Sequence, residues 1–242
     1  ISNGYLSALS ITASNYSTGN SISFFQSEPG IKPWFRAKRH GEPCQINSEH
    51  LMASAAIPLV FPSIKIRNQH FGDGSVHQLS PLSPAIHLGA KRILVIGVEQ
   101  PKEPVHANEN NPHPPNTATI AGHLLDTIFS DTLKSDIERM DRINKTLSLI
   151  PKENKKDIEG LQHIDSLVLN PSHDFNAMAC EHYNELSISV RLLLRSVGIT
   201  NDPESSIGSY LLFEKNYCNR LIKLGFEDAM IKEAQIREFL SL

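Results

Sequence analysis

The chain has 242 residues, of which 40% are hydrophobic and 20% charged, and a formal net charge of −3. That composition suits an ordinary globular protein and excludes disordered and fibrous classes, and its charge offers no basic footprint for nucleic acid or polybasic membrane anchor. Cys44, Cys180 and Cys218 are widely spaced and form no C-x-x-C pair, which points away from a disulfide framework and toward a reducing compartment, and no run approaches the roughly twenty apolar residues of a membrane span.

The first residues already read as a strand, and Ile1 is not an initiator methionine; the opening is therefore expected to be a cut through a larger protein. Leu6 to Ser14 and Ser21 to Gln26 are β-rich runs around Ser17-Thr18-Gly19-Asn20, a strand–turn–strand pattern. Pro29 to Pro43 is punctuated by Gly and Pro and reads as loop with one short element at most. Ser48 is the expected N-cap of a helix carrying Leu51, Met52, Ala55 and Ala56, ended by Pro58. Ile64 and Ile66 alternate with Lys65 and Arg67, Asn68-Gln69 turns the chain, and a short return strand leads to Asp73.

"SPLSPAIHLGA" reads as a short helix closed by Gly89, and "KRILVIGVE" as a strand buried on both faces. A helix followed by such a strand is half of a parallel α/β sheet. The Pro/Asn-rich stretch from Pro101 is expected to be a long surface loop. Ile120 to Ile150 has near-helical apolar spacing, with Asp131, Lys134, Asp136, Glu138 and Arg139 on the opposite face and Pro151 as the stop. The Lys152 to Lys156 cluster is a solvated loop, and "HIDSLVLNPS" is one more strand. Helices are expected near 177–197, 206–224 and 227–240, with Leu224-Gly225-Phe226 as a Schellman stop and Asp228 serving the next helix start.

The residues that bear on chemistry are Gly72-Asp73-Gly74-Ser75. Taken alone, an Asp-Gly pair after a strand is a tight turn, because Gly tolerates positive φ and Asp bonds its own backbone. The surroundings add more. Ala53-Ser54-Ala55-Ala56-Ile57-Pro58, Phe61-Pro62, Asp73-Gly74-Ser75, Pro81-Leu82 with Pro84-Ala85, and Leu88-Gly89-Ala90 follow one another in order. This succession resembles the second half of the patatin-like phospholipase domain, including its Asp-Gly-Gly or Asp-Gly-Ala motif. Thr18-Gly19 is similar to the segment that precedes it, and the C-terminal "SYLLFEKNYCNRLIKLGFEDA" to the tail of some bacterial members.

The resemblance implies an α/β three-layer fold, a mainly parallel sheet flanked by helices, with residues 1–170 as a partial catalytic domain and 171–242 as a helical C-terminal extension packed on it. It implies lipid acyl hydrolysis, of the phospholipase A or esterase type, by a Ser-Asp dyad without cofactor. The serine would attack the ester carbonyl from a Gly-x-Ser-x-Gly elbow, and Asp73 would take its proton. Gly72 and Gly74 would shape the turn that carries Asp73.

Ser75 stands where the family has Gly or Ala, and no Gly-x-Ser-x-Gly or glycine-rich oxyanion loop occurs in the chain. The nucleophile is therefore expected in a missing N-terminal part, and the chain alone is expected to be inactive. The partners implied are a lipid or acyl-ester substrate and that missing part, in the cytoplasm with peripheral contact to a membrane. A non-catalytic scaffold or partner-binding fragment of the same fold is the alternative. Two other signals have simpler readings. His70, Asp73 and His77 have types suited to a metal but fit no ligand spacing. Phe24, Phe25, Trp34 and Phe35 suit a core better than a lipid-facing surface.

Overall fold

The computed structural model describes residues 1, 3–58, 60–99, 117–151, 161–196 and 207–241, and the side chains of these except 117–131, 193–196 and 207–208. The Pro/Asn-rich stretch 101–116, with His106 and His113, and the lysine cluster lie outside the described residues. The chain divides into two compact units, Ile1–Ile93 with Asp131–Asp165, and Leu94–Ser130 with Ser166–Leu242.

The first unit is built on a six-stranded sheet of order β3-β4-β2-β1-β6-β5. Strands β1 (Ala8–Asn15) and β2 (Asn20–Ser27) form the expected hairpin, in register from Ala8 opposite Ser27 to Asn15 opposite Asn20. The Asn15 side chain closes its loop by accepting from the N–H groups of Ser17 (2.9 Å) and Thr18 (3.2 Å). Gly19 supplies the left-handed residue at φ +67°. Strand β2 is central, and its burial does not alternate. Phe24 packs with Ala13, Ile22, Ala53, Ile66 and Phe71 on one face, while Phe25 stacks on Trp34, ring centroids 5.0 Å apart.

The stretch expected to be loop contains a second hairpin, β3 (Trp34–Arg36) and β4 (Arg39–Pro43). Trp34 holds it in place. Its indole lies flat over Gly41, where no side chain has room, between Phe25 and the stacked imidazole of His87. Phe35, the fourth aromatic residue of the group, is 65% exposed.

Helix α1 (Ser48–Ser54) is capped by Asn47, one residue before the expected cap, with its side chain accepting from Glu49 and His50 N–H. Its buried face is His50 and Ala53, while Leu51 and Met52 face outward. His50 rests edge-on against Phe24 and reaches Asn47 Oδ1 at 2.7 Å with one ring nitrogen. Strands β5 (Ile64–Ile66) and β6 (Gln69–Asp73) form the expected hairpin, turned at Arg67, whose φ is +56°. A 3-10 turn (Gly74–Val76) and helix α2 (Ser83–His87), closed by Gly89 at φ +94°, follow.

The expectation of a mainly parallel sheet is corrected. Within the six-stranded sheet only β2 and β4 run parallel, while β1–β2, β1–β6, β3–β4 and β5–β6 are antiparallel. Loop length accounts for three of these antiparallel pairs: β3–β4 and β5–β6 close through two-residue turns and β1–β2 through four, and such short links permit only antiparallel partners. Fold class is therefore mixed α/β, a sheet core flanked by helices.

Strands β7 (Arg92–Ile96) and β8 (Asp165–Leu169) form a separate two-stranded sheet. Bonds from Asp165 N–H to Lys91 C=O at one end and from Gly97 N–H to Leu169 C=O at the other show that they run in the same direction. Burial alternates along β7 instead of covering both faces. Its only partner strand among the described residues is β8, so its other edge has no strand beside it among them.

Helix α3 spans Thr117–Leu149. Asp136, assigned to its polar face by charge, is buried with Met140 and Leu147. One carboxylate oxygen accepts the Leu82 N–H at 3.0 Å, at the start of α2, and the other lies 3.9 Å from Arg139.

The second unit contains α4 (Phe175–His182), α5 (Ile188–Ser196), α6 (Ile207–Leu211), α7 (Lys215–Ile231) and α8 (Glu233–Leu240). Its helices break elsewhere than expected. Gly225 is an interior residue of α7, and Asp228, also within α7, accepts the Ser172 N–H at 3.0 Å. Tyr217 is fully buried and donates to the Phe175 carbonyl; burial pushes its phenol up to about 12. None of the three cysteines is in a disulfide. No helix among the described residues is long and apolar enough to cross a membrane.

Candidate functional site around Asp73

Asp73 ends β6, opposite Ala13 of β1. The β1–β6 pairing covers only Ala13–Asn15 and Phe71–Asp73, whereas β1 continues back to Ala8 along β2. Where β6 turns away, the flank of Ser10 to Thr12 is left bare, and an open cleft of about 680 Å³ occupies the gap. Leu51 and Ser54 of α1 with Ala55 just after it form one wall, Pro81, Pro84 and Leu88 another, and Asp73-Gly74-Ser75 the third. The cleft is mainly apolar with one carboxylate on its wall, an arrangement typical of small-molecule sites.

Three contacts hold Asp73. Its N–H donates to the Ala56 carbonyl at 3.0 Å, which ties the strand end to the second residue after α1. Its Oδ1 accepts the Ser75 N–H at 2.9 Å, and the Ser75 hydroxyl bonds the same carboxylate. Only 7% of the residue is exposed. Burial pushes its pKa above the usual carboxylate value, and the two Ser75 bonds offset part of that rise. A raised pKa is the shift a carboxylate needs to act as a base near neutral pH.

The glycines on either side serve close approach and not positive φ, since neither occupies the left-handed region. A Cβ on Gly74 would press into the Thr12 backbone, 3.0 Å from its carbonyl carbon and closer to the oxygen. A Cβ on Gly72 would occupy the space of the Tyr16 phenol. Burial and the neighbouring Asp73 carboxylate both raise the Tyr16 pKa.

Ser14 went unnoticed in the sequence. Fully buried on β1, its hydroxyl donates to the Gly74 carbonyl (3.2 Å) and accepts the His77 N–H (3.0 Å), pinning the turn that follows Asp73. The alternation of β1 puts Ser14 on the face opposite the core residue Ala13, and only the fold shows what it meets there. Ser10, on the cleft, has a buried hydroxyl with no hydrogen-bond partner among the described residues.

His70 and His77 do not join Asp73. His70 bonds Ser63 at 3.1 Å in an exposed position, and His77 meets the site through its backbone N–H. Among the described residues no group of three His, Cys, Asp or Glu side chains converges on one point.

No protein-family model, no curated protein and no solved structure matches the chain.

Proposed function

We propose that the chain is the Asp-bearing part of a lipid acyl hydrolase of the patatin-like, three-layer type, acting in the cytoplasm or peripherally at a membrane. Asp73 is its general base. The observation that carries this reading is a buried carboxylate of raised pKa at a strand end, on the wall of a largely apolar cleft. An apolar wall suits an acyl chain, and a carboxylate held by its neighbours suits removal of a serine proton. The attacking serine and the oxyanion donors come from outside residues 1–242, which contain no Gly-x-Ser-x-Gly. Attack forms the Ser Oγ–acyl bond, the proton passes to Asp73, and the alcohol leaves with a proton returned to it. Water then releases the acid by the same route.

The test uses the product of the native reading frame, a fluorophosphonate probe and a short-chain ester. That product is expected to take the label and turn over, and Asp73→Asn to lower turnover about 10²- to 10⁴-fold without loss of fold. The 242-residue chain alone is expected to take no label. Unchanged turnover in the Asn variant would overturn the role of Asp73. Label on Ser10, Ser54 or Ser75 of the chain itself would overturn the assignment of the nucleophile to another segment.

A further inference from the structure

A second cavity, of about 190 Å³, lies in the same unit. The segment Ser80–Leu88 separates it from the Asp73 cleft. Pro81, Pro84, Ala85 and Leu88 line the cleft, whereas Ser80, Leu82, Ser83 and Ile86 line the second cavity. The three- to four-residue spacing is that of a helix with two occupied faces. The facing wall is α3, with Asp136, Arg139, Met140 and Ile143, and Arg39 of β4 completes the rim.

The charges on this wall do not balance. Asp136 is engaged by Leu82 N–H and by Arg139. Arg139 also donates to the buried Ser80 hydroxyl at 3.3 Å, which leaves the Ser80 proton free for another acceptor. Arg39 has no carboxylate partner among the described residues, and it sits directly opposite Arg36 in the β3–β4 register. Like charges opposite one another on a sheet cost stability. Two guanidiniums against one carboxylate leave one positive charge uncompensated beside an apolar floor of Ile86, Met140 and Ile143.

We propose that this cavity binds a small organic monoanion, its carboxylate held by Arg39, Arg139 and the Ser80 hydroxyl and its short aliphatic part laid against Ile86, Met140 and Ile143. The charge count selects a monoanion, since a dianion would leave a negative charge facing Asp136. The size limits the aliphatic part, because a cavity of about 150 Å³ accommodates a six-carbon ring. The site is independent of the Asp73 reading, and none of its lining residues belongs to the cleft.

The test is calorimetric titration of the full chain at fixed ionic strength with hexanoate, hexanamide and inorganic phosphate. Hexanoate is expected to saturate one site. Arg39→Gln is expected to weaken it roughly tenfold, the size of one lost charge-assisted bond. Arg142→Gln, on the same helix but outside the cavity, is expected to change it less than about twofold. Arg39→Lys keeps the charge and the fold while losing the planar fork, and is expected to fall between wild type and the Gln variant. Hexanamide binding equal to hexanoate would reduce the site to a greasy hole and overturn the proposal. Equal losses in the Arg39 and Arg142 variants would assign the effect to the general field, and phosphate binding as tightly as hexanoate would remove the aliphatic part. Absence of saturable hexanoate binding would overturn it outright.

Discussion

Gly74→Ala is the sharpest test of how Asp73 is positioned. The added Cβ would lie 3.0 Å from the Thr12 carbonyl carbon and closer still to its oxygen, where ordinary contacts fall between 3.4 and 4 Å. Thr12 cannot yield easily. It lies in the middle of β1, paired to Ser23 of β2 through the backbone, and its hydroxyl is 3.2 Å from that of Ser23. Either β1 or the turn must move by several tenths of an ångström, and overpacking of that kind costs about 1–3 kcal/mol.

Gly72→Ala provides the internal comparison. Its Cβ meets the far end of the Tyr16 side chain, which is partly exposed and can swing away; the expected cost is about 1 kcal/mol or less. Urea denaturation of both variants, read by circular dichroism with unchanged slope, gives the two differences directly. The expected order is Gly74→Ala well above Gly72→Ala. A Gly74 variant within about 0.5 kcal/mol of wild type, or a Gly72 variant that loses more, would refute the claim that backbone proximity requires glycine at 74.

Three further outcomes are expected. Burial raises the folded-state pKa of Asp73, so its contribution to stability is full below the unfolded carboxylate pKa and is lost as pH rises through the folded value; melting curves should show Asp73→Asn gaining on wild type as pH rises from the unfolded carboxylate pKa through the folded value, and a constant difference would contradict this. Trp34 is the chain's only tryptophan and stacks on His87, whose pKa is lowered by burial and by Arg36 and Arg39; its fluorescence should titrate with a midpoint below 6.5 that moves upward in Arg39→Gln, and no movement would remove Arg39 from that environment. Gly225 lies inside α7 with open space around it; Gly225→Ala should stabilise by about 0.5–1 kcal/mol in chemical denaturation, and a loss would show that the glycine is needed as a stop.

What could be read in advance divides by the range of the interaction that decides it. The β1–β2 and β5–β6 hairpins were legible because their turns are local, made by Asn15 with Gly19 and by Arg67 with Asn68. The β3–β4 hairpin was not, because its strands hold Pro, Gly and charges in place of alternating apolar residues. What keeps it is Trp34 reaching Gly41, Phe25 and His87, contacts that no window of sequence contains. Helix breaks in the second unit failed for a related reason. Gly225 has the local form of a stop, but propagation through one glycine costs only about 1 kcal/mol, less than the burial of Tyr217 and Leu224 on the same helix contributes.

Asp136 and Asp73 show the same division at two carboxylates. Asp136 falls between Leu133 and Met140 at helical spacing, so periodicity places it on the inward stripe, whereas its charge suggested the outward one. Periodicity was the better guide, because a buried carboxylate is tolerated once it receives a backbone N–H and a guanidinium. At Asp73 the strand end and the turn were legible, whereas the cleft depends on a mismatch that sequence does not display. Strand β6 stops pairing after three residues while β1 runs on for five more toward its start. That difference in length opens the space in front of the carboxylate. A variant that extended β6 along Ser10 to Thr12 would therefore close the cleft while leaving Asp73 buried and its pKa raised, separating with one change the two features from which its role is inferred.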